Sequence, residues 1–309
     1  MPTPPVLQEL PDGYFVEESP RGILVLHADV AQTLHEAGFG PESDGSLGLS
    51  GLFGRKPLFE IQAGGESFVV RRFSHGGLVR WFTRDRFLDF ERPFRELILS
   101  DSLRRIGIAT PQVVAARARM RRAGGWQLDV MTRRLERTVD LGVVLARCQG
   151  GDLRRDVRAR LLVAVGEFVR RLHAHGCLHA DLSPNNLLVS EAALEGGEPR
   201  IWVLDLDGSH FTTKLTERER LANLRRLYRH VSHREAQRGP ALTAPDYARF
   251  FKGYDFDGNR WKADWHAIRA RHTMARGFHA AGWALERLFS RTVDPRDELA
   301  TATEKSQGD

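Results

Sequence analysis

The sequence predicts an α+β protein in two parts, a smaller strand-rich amino-terminal part and a larger, mainly helical carboxy-terminal part. Three observations predict it. Short apolar runs separated by glycine-bearing turns prevail before residue 132, apolar residues at helical spacing prevail after residue 140, and one polar hairpin interrupts the helical part.

Residues 1–40 read as an extension packed on the first part, 41–135 as the first part itself, 136–295 as the second, and 296–309 as a flexible tail. The Gly/Ser-rich stretch 41–52 is a loop leading into strands. Leu58–Gln62 and Ser67–Phe73 are strand-like around the turn Ala63-Gly64-Gly65-Glu66. Pro93 suits a first helical position, so a helix runs through Phe94 to Ile106 and stops at Gly107. Val113–Ala116 and Leu128–Thr132 are two further strands around Gly124-Gly125. The chain then crosses between the parts near residues 132–140. Val157, Leu161, Val165, Phe168, Val169 and Leu172 mark an amphipathic helix ending at Gly176. The apolar step Cys177-Leu178, a polar loop, the strand Leu187–Val189, a turn at Gly196-Gly197 and the strand Ile201–Leu204 follow, and helices fill the rest.

Apolar residues make up 41% and charged residues 28% of 309 residues, the balance of a folded protein rather than a disordered one. No apolar run is long enough to cross a bilayer, and the start MPTPPVLQELPDG lacks the basic and apolar regions of a secretory signal. Two cysteines, Cys148 and Cys177, make neither a disulfide framework nor a zinc cluster, so a cytoplasmic site is expected. The formal charge of +6 and a pI near 9.7 invite an anionic partner without choosing one. The arginines are dispersed and no nucleic-acid motif is visible, so nucleic acid is not expected.

The chemistry concentrates in His179-Ala180-Asp181-Leu182-Ser183-Pro184-Asn185-Asn186, followed by Asp205-Leu206-Asp207. A loop carboxylate can orient a hydroxyl and accept its proton. A carboxamide five residues on and a carboxylate at the end of a neighbouring strand supply the hard oxygens that magnesium prefers. The loop between two strands brings Asp181, Asn186 and Asp205 to one edge of the hairpin. The plainer alternative is a polar turn in which Asp and Asn cap backbone groups. His173 and His175, near a helix end, read as ordinary cap or surface residues, and His179 as a brace for the loop.

These residues resemble the protein-kinase-like superfamily, whose catalytic loop reads H-R-D-x-x-x-x-N and whose metal motif reads D-F-G. The resemblance implies a two-lobed fold with the nucleotide between lobes, Asp181 as the catalytic base, Asn186 and Asp205 as metal ligands, and ATP and Mg2+ as cofactors. It places Phe68-Val69-Val70-Arg71 where V-A-I-K stands, so that Val69 lines the nucleotide pocket, Arg71 reaches the phosphates and Arg72 faces the other way. Glu96 is the expected partner of Arg71, with Glu91 the second candidate, and Gly51 and Gly54 bound a phosphate-covering turn. Ala180 stands in place of the arginine that engages a phosphorylated activation loop, Asp207 in place of the D-F-G glycine, and no A-P-E triplet follows. So short a segment offers little platform for a peptide and favours a small-molecule or glycolipid acceptor.

Val70-Arg71-Arg72-Phe73-Ser74-His75-Gly76-Gly77-Leu78, Arg95-Glu96-Leu97, His179-Ala180-Asp181-Leu182 and Asp205-Leu206-Asp207 are similar to the lipopolysaccharide kinases, the 3-deoxy-D-manno-octulosonic acid (Kdo) kinases in particular. The resemblance runs from Tyr14 to Arg271 and is strong near those motifs; Ser183-Pro184-Asn185 and Leu206 depart from it. It implies phosphorylation of the 4-hydroxyl of Kdo on a lipid A precursor, by a peripheral protein at the cytoplasmic face of the inner membrane. Another sugar or small-molecule kinase, such as a heptose or aminoglycoside kinase, and a non-catalytic pseudokinase-like module are the competing readings. His75, Arg80, Trp81 and Arg84 stand in a stretch of arginines and aromatics suited to contact with an anionic glycolipid or its membrane.

Overall fold

A computed structural model describes residues 4–51, 58–74 and 87–270. The described residues form two compact units: one runs to Glu136 and includes Leu206–Ser209, and the other comprises Arg137–Asp205 and the residues from His210 on.

The first unit is built on an antiparallel sheet of seven strands: β1 (Tyr14–Ser19), β2 (Gly22–His27), β3 (Gly48–Leu49), β4 (Phe59–Ala63), β5 (Glu66–Arg72), β6 (Val113–Met120) and β7 (Trp126–Arg133). Their spatial order is β1-β2-β6-β7-β5-β4-β3. The sequence reading leaves β1 and β2 inside its amino-terminal extension. In the structure they join the sheet through β2, whose register pairs Val25 with Ala116 of β6. The β4–β5 turn has positive φ at both Gly64 and Gly65, and a Cβ on Gly64 would also press on Thr33. A two-residue hairpin loop with that backbone twist requires residues tolerant of left-handed φ, which is why Gly-Gly stands there.

Alternation in β5 divides its side chains between the two faces of the sheet. Phe68 and Val70 join Leu24, Leu26 and Met131 in an apolar cluster that includes Val30 and Leu34 of α1 (Ala28–Glu36). Phe73, just beyond the strand, joins the cluster on the opposite face with Phe94 and Leu97 of α2 (Arg92–Arg105). The parity that sends Phe68 and Val70 into one core turns Arg71 toward α2.

A charged network lies inside the β6–β7 pair. Arg117 is fully buried and stands directly across from Asp129 in the register. Its guanidinium donates to Asp129 Oδ2 from Nε at 3.1 Å and Nη2 at 2.6 Å, to Asp44 at 2.6 Å, and to the carbonyls of Gly40 and Ser43. Asp129 also accepts from Arg72 Nε at 2.9 Å, so Arg72 and Arg71 leave β5 on opposite faces. Arg117 and Asp129, the two members buried inside the sheet, each have several hydrogen bonds, the condition under which buried charge is tolerated.

The second unit contains α3 (Leu141–Gly150), α4 (Arg155–Ala174), the short α5 (Glu191–Leu194), α6 (Glu217–Arg238), α7 (Ala244–Tyr254) and helical residues 261–270. It also holds a sheet of β8 (Thr138–Asp140), β10 (Leu187–Ser190) and β11 (Ile201–Val203), and a small pair of β9 (Cys177–Leu178) with β12 (His210–Phe211). The apolar stripe expected for α4 is buried. Gly166 of α4 and Gly253 of α7 let the two helices meet backbone to backbone. A Cβ on Gly166 would stand 2.2 Å from the Phe250 carbonyl oxygen, and one on Gly253 2.2 Å from that of Val163. Capping boxes start α6 (Thr216 with Glu219) and α7 (Thr243 with Asp246), satisfying amide donors that helix geometry leaves without partners.

Candidate active site

The loop between β9 and β10 carries His179 to Asn186 and closes with a single tight helical turn, Pro184–Asn186. Antiparallel pairing of β10 with β11 then returns the chain, and Leu204 N–H donates to the Asn186 carbonyl at 2.9 Å. Asp205 follows at once with φ of +55°, a left-handed conformation costly for a residue with a Cβ. Asn186 Nδ2 donates to the Asp181 carbonyl at 2.8 Å and lies 3.5 Å from its Oδ2, so the carboxamide presents Oδ1 away from that contact.

Hydrogen-bond directions around this loop are mutually determined. Asp181 N–H donates to His179 Nδ1 at 3.1 Å, which makes His179 Nε2–H the donor to the Leu204 carbonyl at 2.9 Å. Asn223 of α6 donates from Nδ2 to the His179 carbonyl at 2.6 Å and accepts through Oδ1 from His173 Nε2–H at 3.0 Å. His173 Nδ1 accepts from the Tyr254 hydroxyl at 2.9 Å. Both imidazoles must be neutral for this chain to close. Burial pushes His173 down to about 4 and holds His179 below the ordinary histidine value, against the opposing pull of the Leu204 carbonyl and the Asp205 and Asp181 carboxylates. The loop that bears Asp181 is thus tied to β11, α4, α6 and α7.

His173 departs from the sequence expectation of a cap or surface residue. It is 1% exposed, because it sits four residues beyond Val169 and extends the buried stripe of Leu161, Val165 and Val169. That spacing was a signal available in the sequence. Asn223 had none, since a polar residue in a charged helix does not announce a partner 44 residues away. Arg226, whose Nη1 stands 3.3 Å from Asp181 Oδ1, was hidden for the same reason.

In the first unit, Arg71 donates from Nη2 to Glu96 Oε2, and its guanidinium lies 4.4 Å from the Phe73 ring centroid. Glu96 is 6% exposed on α2. Glu91, the second candidate, pairs with Arg95 instead. Asp207 belongs to the segment Leu206–Ser209 of this unit and receives a two-pronged contact from Arg92, with Nε 3.1 Å from Oδ1 and Nη2 on Oδ2. Arg92 packs over Phe87 and Phe73, 4.9 and 5.5 Å from their centroids. Val69 is half-buried on β5, and Gly51 is exposed just past β3. Gly54, His75, Arg80, Trp81 and Arg84 lie outside the described residues, as does the segment 296–309.

Among the described residues, no group of three or more His, Cys, Asp or Glu side chains is placed to hold a metal ion. A magnesium ion that travels with a nucleotide needs only one or two protein oxygens, because phosphates and water complete its shell. The Asn186 carboxamide oxygen and the Asp205 carboxylate fit that donor set in kind. No helix among the described residues is long and apolar enough to cross a membrane.

The chain is a phosphotransferase with an alcohol group as acceptor, as its match to a family model and to curated sugar kinases shows. The model of the lipopolysaccharide kinase (Kdo/WaaP) family matches residues 53–254, and the chain belongs to that family. The 3-deoxy-D-manno-octulosonic acid kinase of Actinobacillus succinogenes is 29% identical over 194 residues, 62% of this chain and 76% of the relative. The kinase of the same name from Stenotrophomonas maltophilia is 29% identical over 236 residues, 72% of this chain and 85% of the relative. A solved structure of WaaP in complex with acyl carrier protein aligns over 72% of this chain and 88% of that one, with a TM-score of 0.49 and 19% identity.

Proposed function

We propose that the protein transfers the γ-phosphoryl group of ATP to the 4-hydroxyl of Kdo on a Kdo-bearing lipid A precursor, at the cytoplasmic face of the inner membrane. The observation that carries this reading is the loop geometry: the Asp181 carboxylate reaches solvent while its backbone is fixed through a neutral His179. Asp181 orients the acceptor hydroxyl and takes its proton as the oxygen attacks the γ-phosphorus and the bond to the β-bridging oxygen breaks, releasing ADP. Asn186 and Asp205 would hold Mg2+, which when bound offsets phosphate charge. Arg71, kept in place by Glu96, binds the nucleotide phosphates, with Val69, Gly51 and Gly54 as further nucleotide contacts. The stretch with His75, Arg80, Trp81 and Arg84 meets the anionic glycolipid or its membrane.

Mass spectrometry of Kdo-bearing lipid A precursor after incubation with the protein, ATP and magnesium tests the proposal. The expected result is one added phosphate, located on the Kdo 4-hydroxyl by NMR. An unmodified precursor, or a phosphate found on another sugar, would exclude this acceptor.

Glu96→Gln removes the charge that positions Arg71 while keeping side-chain volume. A hydrogen bond to a charged group is worth about 1.5–3 kcal/mol, so kcat/KM for ATP is expected to fall on the order of tenfold to a hundredfold. Steady-state kinetics with ATP varied would show it, with the acceptor KM unchanged. Unaltered ATP kinetics would separate the pair from nucleotide binding.

A further inference from the structure

Helix α6 runs beside the loop that bears Asp181 and is registered to it by Asn223. Arg226 follows Asn223 by three residues and His230 by seven, so all three fall on one face of the helix. Arg226 Nη1 is 3.3 Å and His230 Nε2 is 3.9 Å from the same carboxylate atom, Asp181 Oδ1. The side chains of Arg226, His230 and Asp181 are 42%, 34% and 37% exposed. The His230 Nε2 atom is itself buried, so a ligand resting on Asp181 meets Arg226.

The charge of this helix is one-sided. From Arg220 to Arg234 the sequence has five arginines, two histidines and no acidic residue. The nearest acids on either side have other tasks. Glu219 completes the capping box with Thr216. Glu235 accepts from the Tyr247 hydroxyl and from the amides of Ala241 and Leu242. Helices usually set acids one turn from their arginines for support, and α6 omits them across the segment that faces Asp181.

An exposed ion pair contributes only about 0–1 kcal/mol, so the single-pronged Arg226–Asp181 contact is a weak reason to keep an arginine there for stability. A guanidinium has five donors and matches carboxylate and phosphate oxygens in pairs. We infer that Arg226 forms the anion subsite of the acceptor, gripping a carboxylate or phosphate that the acceptor carries near the hydroxyl held by Asp181. This rests on the proposed sugar phosphorylation and adds what the acceptor must carry and which helix reads it. Contact with Asp181 also aligns the two: the anion fixes the sugar and the carboxylate receives its hydroxyl.

The experiment compares wild type, Arg226→Gln and Arg226→Lys on three acceptors: Kdo-bearing lipid A precursor, its Kdo carboxylate methyl ester, and the precursor stripped of its lipid A phosphates. Arg226→Gln is expected to raise KM for the intact precursor at least tenfold while kcat falls less, and Arg226→Lys to recover part of the loss. On the acceptor that lacks the recognised anion, wild type and Arg226→Gln should have the same KM, which tells carboxylate from phosphate. Equal losses on all three acceptors, confined to kcat, would overturn the inference and leave Arg226 as a positioning group for Asp181. If wild type phosphorylates none of them, the acceptor reading itself falls. The subsite is then judged by calorimetric titration of wild type and Arg226→Gln with free Kdo and with inorganic phosphate: heats lost in the variant support it, and identical heats overturn it.

Discussion

Asp181→Ala is expected to lower kcat by about 10²–10⁴ while the protein stays folded and its KM for ATP changes little. The side chain is more than one-third exposed, so its truncation opens no cavity. The backbone contact that fixes the loop, Asp181 N–H to His179 Nδ1, does not involve the carboxylate and survives. What disappears is the group that receives the acceptor proton. Asp181→Asn sharpens the test, because a carboxamide can hold a hydroxyl by hydrogen bonding but cannot take its proton. If Asn behaves like Ala in kcat but like wild type in acceptor KM, Asp181 acts as the base. If Asn restores most of kcat, its role is orientation. A folded Ala variant with full phosphotransfer would remove Asp181 from the chemistry altogether.

The parts of the architecture legible in the sequence are those with local signals. The Gly-Gly hairpin, the Pro93-started helix and the α4 stripe each follow from turn chemistry, capping or periodicity, and each stands within a few residues of its expected place. Spacing alone also placed Asp181, Asn186 and Asp205 around one hairpin, since a short loop and an antiparallel return leave few alternatives. The strands β1 and β2 were less visible. β2 is apolar at every position from Ile23 to Leu26, so it lacks the alternation that marks a half-buried strand, and β1 precedes it across the short turn Pro20-Arg21. Least legible were the polar partners from distant segments: the α4 stripe marks His173 as buried, but no local pattern encodes its meeting with Tyr254 and Asn223 beside the loop. Arg92 with Asp207 is another case, a pair 115 residues apart.

The largest effect on stability is expected from Asp129→Ala. Asp129 is 1% exposed and accepts from both Arg117, itself fully buried, and Arg72. Removing it leaves the Arg117 charge inside the sheet with fewer acceptors, and breaking a buried pair from one side costs about 3–5 kcal/mol. Chemical denaturation should report that loss as a lower midpoint, and activity should weaken with it, because Arg72 adjoins Arg71 and pairs in register with Asp129 across β5 and β7. Two explanations are separable. If the network stabilises through its charges, Asp129→Ala and Arg117→Met should each destabilise strongly. If its purpose is to fill space while balancing charge, Arg117→Met combined with Asp129→Leu should recover part of the stability, since the buried pair becomes apolar while Arg72 and Asp44, both partly exposed, lose a partner. A loss below 1 kcal/mol in the single Asp129→Ala variant would mean that Asp44 alone neutralises Arg117, and that the cross-strand pair does not hold the strand bearing Arg71 in register.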